Sequence, residues 1–259
     1  MKNKKNIFLR KKILIYGLGK SGISSYKFLK KKADVYLFDD NSKINKKLVS
    51  LSKISKISFD VIIISPGIDI SKCKLSTFLK KNSQKIYTDL DVLYSFYDNL
   101  SITITGTNGK STTAKILHDA LVDQKKDARL IGNIGNPALA EKKITKKTIF
   151  VIEASSYQLD YSKIFRSKYS LILNISADHI ERHKNLKNYV NAKFKLIESQ
   201  VKGNFAYVKK NDSLISKKIK KNKFKSKIYK VDVSNLKKII DKISNKYFAS
   251  DGNRENLSF

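Results

Sequence analysis

The stretch Ile102-Thr103-Ile104-Thr105-Gly106-Thr107-Asn108-Gly109-Lys110-Ser111-Thr112 decides the fold class of this chain. It passes from a β-branched run, typical of a buried strand, through a glycine turn to a lysine and two hydroxyl residues. The usual phosphate-binding loop has the pattern G-x-x-x-x-G-K-[ST]. Residues 109–111 fit this pattern, but Ile104 stands where its first glycine belongs. The sequence therefore predicts a strand, a shortened phosphate loop and a helix.

The residue types of this loop suit phosphate chemistry. Backbone amides would face the phosphates, Lys110 would neutralise the terminal one, and Ser111 or Thr112 would reach Mg²⁺. The alternative is a strand-to-helix turn with a solvated lysine. We favour the phosphate loop because strand, turn, lysine, hydroxyls and helix follow in the required order.

Strand and helix patterns alternate on both sides of the loop. Apolar strands are predicted at 12–16, 35–38, 61–64, 148–152, 170–174, 205–208 and 228–231, and helices at 112–122 and 186–199. Such alternation is typical of parallel sheets that are covered on both faces. We predict an α/β fold with a Rossmann-like N-terminal domain over residues 1–97. A P-loop-type ATPase domain with a mostly parallel sheet is predicted over residues 98–259.

A second glycine turn, Gly17-x-Gly19-x-x-Gly22, follows the first predicted strand, and Asp39 lies about 20 residues further on. This arrangement matches the dinucleotide fingerprint, in which helix N-terminal amides face a diphosphate. A single match indicates a diphosphate-sized anion better than it indicates NAD. The alternative is a turn that only packs a helix on a strand.

The charge of the chain is strongly basic, with 54 Lys and Arg against 22 Asp and Glu and a net charge of +32. A nucleic-acid site is one interpretation. The lysines are spread along the chain without interleaved aromatics, so we favour solvated lysines that help to attract small polyanions. Cys73 is the only cysteine, which excludes an internal disulfide, and no apolar run approaches the ~20 residues of a membrane span. We expect a cytoplasmic monomer.

Polar side chains follow two predicted strands of the second domain. Glu153 ends one strand, and Asp178-His179 come shortly after the next. The carboxyl ends of parallel strands meet at the edge where ligands bind, so these groups are candidate metal ligands beside the loop. For His179 alone a surface position is the simpler interpretation. We expect His118 and His183 to be surface residues.

These residues and several further motifs resemble the Mur ligase family. The shortened loop matches the family's ATP loop, and other matches follow in the family's order: Gly132-Asn133-Ile134-Gly135, Glu153-Ala154-Ser155-Ser156-Tyr157-Gln158-Leu159, Asn174-Ile175-Ser176-Ala177-Asp178-His179 and Ala192-Lys193. The form E-x-S-S-[FY]-Q-L is similar to the branch that adds D-glutamate. The resemblance covers nearly the whole chain.

The resemblance implies ATP-dependent addition of D-glutamate to UDP-N-acetylmuramoyl-L-alanine through an acyl phosphate. It implies two Mg²⁺ sites, one held by Ser111 and Glu153 and one served by His179 and a carbamylated Lys193. The implied ATP-binding residues are Gly106, Thr107, Asn108, Gly109, Lys110, Ser111, Thr112 and Asn256. The implied substrate-binding residues are Lys20, Ser21, Asn133, Ser155 and Gln158. Lys110, Glu153, His179 and Lys193 are the implied catalytic residues.

The chain departs from the family in three places. Asp40-Asn41 replaces an expected Thr-Arg pair, and Gly252 replaces the histidine of an H-N-x-x-N motif whose last asparagine, Asn256, meets adenine. The sequence ends at Phe259, before the third domain that the resemblance implies for D-glutamate binding. We therefore expect the 259-residue chain to bind UDP-linked substrate without turnover as a ligase.

Other functions remain open at this point. A sister Mur ligase or a folylpolyglutamate synthase would share the loop, and preference for UDP-muramoyl-alanine over a folate would separate them. A non-catalytic nucleotide-binding fragment is the alternative from another class. A dehydrogenase explains the first glycine turn but leaves the central loop unexplained.

Overall fold

The computed structural model describes residues 6–41, 48–232 and 251–259. The chain divides into two compact units. Unit 1 comprises Met1–Asp98, Asn136–Lys142 and Tyr161–Phe165. Unit 2 comprises Asn99–Gly135, Lys143–Asp160 and Arg166–Phe259. Among the described helices, none combines the length and the apolar character needed to cross a membrane.

Unit 1 is built on a four-stranded parallel sheet with the strand order β2-β1-β3-β4. Its elements are β1 (Lys12–Tyr16), α1 (Lys20–Leu29), β2 (Asp34–Phe38), α2 (Leu51–Ile54), β3 (Val61–Ile64), α3 (Ser76–Lys81), a 3₁₀ turn (Ser83–Lys85), β4 (Ile86–Tyr87) and α4 (Asp89–Phe96). Ile13, Leu14 and Ile15 are fully buried, as expected for a strand covered on both faces. The strand that follows β1 in the chain, β2, lies on one side of β1, and β3 lies on the other side. The first glycine turn therefore lies at a switch point of the sheet.

A buried carboxylate in unit 1 explains why a short later segment belongs to this unit. Asp91 lies in the capping box that begins α4, where its side chain accepts from the Thr88 amide at 2.9 Å. Its Oδ1 also accepts the successive amides of residues 163–165 at 2.8–2.9 Å. Burial raises the pKa of Asp91, whereas these backbone donors lower it. Asp91 therefore attaches the segment Tyr161–Phe165 to α4.

Unit 2 is built on a six-stranded parallel sheet with the strand order β10-β9-β8-β5-β7-β6. Its elements are β5 (Ser101–Thr105), α5 (Lys110–Asp123), β6 (Ala128–Gly132), β7 (Ile149–Glu153), α6 (Ser156–Tyr161), β8 (Tyr169–Ile172), α7 (Ile180–His183), α8 (Leu186–Glu198), β9 (Phe205–Lys209), α9 (Ser213–Lys221), β10 (Lys227–Val231) and α10 (Asp251–Ser258). Strand β5 lies between β7 and β8, so the loop that leaves it opens at the switch point.

The two parallel sheets confirm the predicted α/β fold class. The elements that the sequence patterns did not predict include strands β4 and β6 and helix α9. Strand β6 has the sequence Ala-Arg-Leu-Ile-Gly at the sheet edge, which gives no continuous apolar run. Strand β8 was predicted to reach Asn174 but ends at Ile172. Asn174 instead accepts the Thr107 amide through its carbonyl at 2.9 Å, and this contact takes the backbone out of the sheet.

Candidate functional site

The loop between β5 and α5, residues 106–109, lies at the carboxyl edge of the unit 2 sheet and is called the central loop below. Asn174 holds it from the neighbouring β8 connection. Its Oδ1 accepts the Asn108 amide at 2.9 Å, and its Nδ2 donates to the Asn108 carbonyl at 3.2 Å. These contacts fix the loop before any ligand binds. Asn174 stands in a motif that the sequence singled out, but its role as a loop anchor was not predicted.

Gly109 is the residue at which a side chain would damage the central loop most. It caps α5 with φ +81°, a left-handed conformation that glycine adopts without strain. A Cβ there would lie 2.0 Å from Oδ1 of Asn256, a residue that is 7% exposed. Helix α10 therefore packs directly on the loop through Asn256.

Gly109→Ala should weaken Mg·ATP binding by at least tenfold, because both the backbone strain and the contact with Asn256 oppose it. Calorimetric titration measures the change. Gly203→Ala serves as the control, since Gly203 also has a positive φ (+87°) but nothing lies within 4 Å of the position that its Cβ would take. Equal affinity for the Gly109 variant and the control would contradict this account of the loop.

Lys110 and Ser111 begin α5 and lie beside a buried glutamate. Ser111 Oγ donates to Glu153 Oε2 at 2.7 Å, and Asn133 Nδ2 donates to Glu153 Oε1 at 2.8 Å. Glu153 is 1% exposed at the end of β7. Lys110 Nζ donates to the Thr107 carbonyl at 2.7 Å. Burial lowers the pKa of Lys110, whereas the carboxylates of Glu153 and Asp178 raise it.

Lys193, on α8, is a buried lysine that contacts the first residue of the central loop. It is 1% exposed, and its Nζ donates to the Gly106 carbonyl at 2.6 Å. The ammonium also lies 4.5 Å from the ring centroid of Tyr189. Burial, and then the charge of Lys110, lower the pKa of Lys193 from 10.5 to about 7. A fraction of this side chain is therefore a neutral amine at physiological pH.

Tyr189 joins Lys193 to the central loop, and the sequence analysis did not identify it. Its hydroxyl lies 3.1 Å from Thr107 Oγ1, and burial raises its pKa to about 12. The phenol therefore stays protonated at neutral pH. The only sequence signal was its position one helical turn before Lys193, which places both residues on the same face of α8.

The three histidines differ in their surroundings. His179 precedes α7 with φ +53° and is 44% exposed, with Asp178 Oδ2 at 3.4 Å from its Nε2. His183, predicted to lie on the surface, is instead 5% exposed, and its Nε2 lies 3.0 Å from Ser156 Oγ. The prediction was wrong because His183 stacks on the Tyr157 ring. Burial lowers the pKa of His183. His118 is half-buried on α5, beside Asp119.

The remaining candidate residues of unit 2 follow the neighbouring strands β7 and β6. Gln158 is 1% exposed, and its Oε1 accepts from both the amide and the hydroxyl of Ser155 at 3.2 Å. Asn133 is exposed and directly follows Gly132, the last residue of β6. Glu153 ends β7, and Gly132 is its partner on β6. Ser155 and Asn133 follow these two residues and therefore lie close to Glu153.

The first glycine turn lies in unit 1, where Lys20 and Ser21 begin α1. A Cβ on Gly22 would lie 1.8 Å from the Gly17 carbonyl oxygen, so this close approach requires glycine. Asp39 Oδ2 accepts the Leu18 amide at 2.6 Å, and its Oδ1 accepts the Asn41 amide at 2.9 Å. Both oxygens of Asp39 therefore stabilise the turn, which disfavours the ribose-binding role of this residue in a dehydrogenase.

Few of the described side chains near the central loop can bind a metal ion. Across residues 6–41, 48–232 and 251–259, no cluster of three or more His, Cys, Asp or Glu side chains could hold a metal ion. Ser111 and Glu153 offer a hydroxyl and a carboxylate that are already in contact. Mg²⁺ commonly takes one or two carboxylates and completes its shell with water and substrate phosphates. These oxygens fit a magnesium ion that a phosphate-bearing ligand shares.

Helix α10, the central loop and the ends of β8 and β9 surround a cavity of about 590 Å³. Its lining includes Thr112, Asn174, Lys209, Asp212, Glu255 and Asn256. This volume falls within the usual range for small-molecule sites. The cavity lies beside the N-terminus of α5, where backbone amides favour anions.

A parallel sheet whose central strand leads through a glycine turn into a lysine-initiated helix defines a P-loop-type α/β protein. Residues 104–257 match the model of the Mur ligase middle domain. The chain belongs to the Mur ligase family.

Curated relatives agree with this assignment. The chain is 37% identical over 213 residues to a UDP-N-acetylmuramoylalanine–D-glutamate ligase of Rickettsia felis, covering 78% of this chain and 47% of the relative. It is 36% identical over 207 residues to the protein of that name in Caldicellulosiruptor saccharolyticus, covering 73% and 46%. The chain thus spans about half the length of the curated relatives it matches.

Solved structures support the fold. A UDP-N-acetylmuramate:L-alanyl-gamma-D-glutamyl-meso-diaminopimelate ligase from Neisseria meningitides superposes with a TM-score of 0.55 at 12% identity, covering 85% of this chain and 77% of that one. A murein peptide ligase from Psychrobacter arcticus gives a TM-score of 0.51 at 12% identity, covering 85% and 53%. At such low identity these structures show the fold alone.

Proposed function

We propose that this protein takes part in the ATP-dependent addition of D-glutamate to UDP-N-acetylmuramoyl-L-alanine, a cytoplasmic step in peptidoglycan precursor synthesis. The observation that carries the proposal is the convergence of Lys110, Glu153 and Lys193 on the central loop. The names of the relatives that are 33–37% identical support D-glutamate as the added amino acid. They favour it over a folylpolyglutamate synthase or a Mur ligase with another substrate.

The central loop would bind the phosphates of ATP. The amides of residues 106–109 and the N-terminus of α5 supply donors, and Lys110 supplies a positive charge. In the structure Lys110 donates to the Thr107 carbonyl, so it would exchange this contact for a phosphate oxygen. Thr112 and Asn256, which line the cavity beside the loop, would contact the nucleoside.

Ser111 and Glu153 would hold Mg²⁺ at the phosphates, with Asn133 keeping the Glu153 carboxylate oriented. Bound Mg²⁺ supplies positive charge that offsets the charge of the phosphates. The side chains of this chain then orient the reactants. A carboxylate oxygen is a poor leaving group, so transfer of the γ-phosphate to the alanyl carboxylate is needed first. The D-glutamate amine then attacks the carbonyl carbon to form the C–N bond and releases one proton to solvent, and the C–O bond breaks as phosphate leaves.

Lys193 as an ammonium does not fit a metal site, because two cations repel each other. We propose that its neutral amine attacks CO₂, forming an N–C bond and releasing one proton to solvent. The resulting carbamate would face a second Mg²⁺ together with His179. A pKa of about 7 supports this step, since the neutral amine is the reactive form.

Unit 1 would hold the uridine diphosphate end of the substrate at its glycine turn, through Lys20 and Ser21. Asn133, Ser155 and Gln158 would serve the muramoyl part. Gln158 would act through the start of α6, because its amide oxygen is already engaged by Ser155. The protein is proposed to work as a monomer.

The function is tested with the complete gene product. ADP formation from ATP should require UDP-N-acetylmuramoyl-L-alanine, and a new amide product should appear with D-glutamate but not with L-glutamate or meso-diaminopimelate. ADP formation that depends instead on a folate, or on a longer muramoyl peptide, would contradict the proposal and favour a sister ligase.

Lys110→Ala should weaken Mg·ATP binding roughly tenfold to a hundredfold, because it removes one charge-assisted contact worth about 1.5–3 kcal/mol. Lys115→Ala, on the same helix and paired with Asp119 at 2.6 Å, is the matched control. Calorimetry measures both affinities, and circular dichroism checks that the fold is intact. Unchanged affinity in Lys110→Ala would contradict the proposal that the central loop binds the phosphates of ATP.

A further inference from the structure

We propose that Lys209 and Glu255 are positioning residues of the nucleotide site: their ion pair holds α10 on the carboxyl edge of the unit 2 sheet and keeps Asn256 on the central loop. The inference rests on the proposed function, because it concerns the nucleoside end of the same site. It assigns a role to two residues that the family motifs do not specify.

The ion pair joins the end of a strand to the last described helix. Lys209 is the final residue of β9, and its Nζ lies 2.7 Å from Glu255 Oε2 on α10. The two side chains are 24% and 21% exposed. Solvent and salt screen such a pair less than a fully exposed one, so its contribution should exceed that of a typical surface pair.

Glu255 also contacts the anchor of the central loop. Its Oε1 accepts from Asn174 Nδ2 at 3.4 Å, and Asn174 Oδ1 accepts the Asn108 amide at 2.9 Å. One carboxylate therefore contacts both the end of β9 and the residue that fixes the loop. Loss of the Lys209 charge would leave this half-buried carboxylate without its cation.

The residue after Glu255 is Asn256, whose side chain fills the space in front of Gly109. Lys209, Glu255 and Asn256 all line the cavity proposed for the nucleoside. A shift of α10 would move this wall, whereas the two contacts between Asn174 and Asn108 would keep the amides of the central loop in place. The ion pair should therefore affect recognition of the nucleoside and not of the phosphates.

Binding of Mg·ATP and of Mg·triphosphate distinguishes the nucleoside end of the site from its phosphate end. We expect Lys209→Met to weaken Mg·ATP binding roughly tenfold by calorimetry while Mg·triphosphate, which has no nucleoside, binds within about twofold of the wild type. Lys210→Met is the matched control, because Lys210 pairs with Asp232 at the same 2.7 Å but does not line the cavity. It should leave both affinities unchanged.

A double-mutant cycle tests the pairing itself. Glu255→Gln should weaken ATP binding to a similar degree, and the double variant should lose little more than either single one. Additive losses, an unchanged ATP affinity in Lys209→Met, or equal weakening of ATP and triphosphate would each overturn the inference. If wild-type protein binds ATP, such a result leaves the proposed function standing. If it binds neither probe, the proposed function fails as well.

Discussion

In the complete gene product, Lys193→Ala should lower the rate of D-glutamate ligation by a factor on the order of 10²–10³. The alanine removes the group proposed to become a metal-facing carbamate. Formate or acetate should restore part of the rate, because a free carboxylate can occupy the space and supply the missing anion. The assay follows ADP and amide product together.

Lys187→Ala is the control for this prediction, since Lys187 is exposed on the same helix, α8. Chloride at equal ionic strength controls for a salt effect of the added carboxylate. Full activity of Lys193→Ala without any addition would exclude the carbamate.

Lys193→Met should raise the free energy of unfolding near pH 7, by an amount on the order of 3–5 kcal/mol. The shift in the pKa of Lys193 from 10.5 to about 7 means that the folded state disfavours the ammonium. Above pH 10.5 the side chain is neutral in both states and costs nothing. As the pH falls toward about 7, the unfolded state gains the proton first, so wild-type stability declines, and below that pH the loss is complete.

The advantage of Lys193→Met should therefore shrink by about 1.4 kcal/mol for each pH unit between about 7 and 10.5. Urea unfolding at about pH 7 and about pH 9.5, in buffers freed of CO₂, measures this difference. Lys187→Met, at an exposed position on the same helix, is measured as the control. A methionine variant that is less stable than wild type near pH 7, or a gain that is equal at both pH values, would contradict the burial argument.

Lys193→Ala and Lys193→Met together test whether stability and function place opposite demands on this residue. Burial and the nearby charge of Lys110 make the position of Lys193 costly for a cation, although the Tyr189 ring lies beside its ammonium. A hydrophobic residue of similar volume would stabilise the fold. The amine is useful only if its reaction with CO₂ replaces the buried positive charge with a negative one.

The sequence predicted the elements whose signals are local. The β-branched run before Gly106 and the apolar runs of β1, β3 and β7 are continuous, and each became a buried parallel strand. The edge strand β6 and the lysine-rich helix α9 carry weak apolar patterns. Only pairing with β7 or packing on the sheet shows that they are ordered.

The residues of the candidate site also differ in whether local sequence or tertiary contacts determine their positions. Because the carboxyl ends of parallel strands share one edge, the approach of Glu153 to the central loop could be predicted. The burial of His183, the contact of the Tyr189 hydroxyl with Thr107 and the anchoring role of Asn174 could not. They depend on tertiary contacts between residues that are 27 to 82 positions apart in the chain.

The central claim is that Ser111, Glu153 and Lys110 form one nucleotide and metal site, and a crystal soaked with Mn²⁺ and a non-hydrolysable ATP analogue tests it most directly. The anomalous scattering of Mn²⁺ identifies the metal ion and gives its position. The account predicts an anomalous peak at the side chains of Ser111 and Glu153, with the terminal phosphates on the central loop beside Lys110. Triphosphate bound elsewhere, or a metal ion without contact to Glu153, would contradict it.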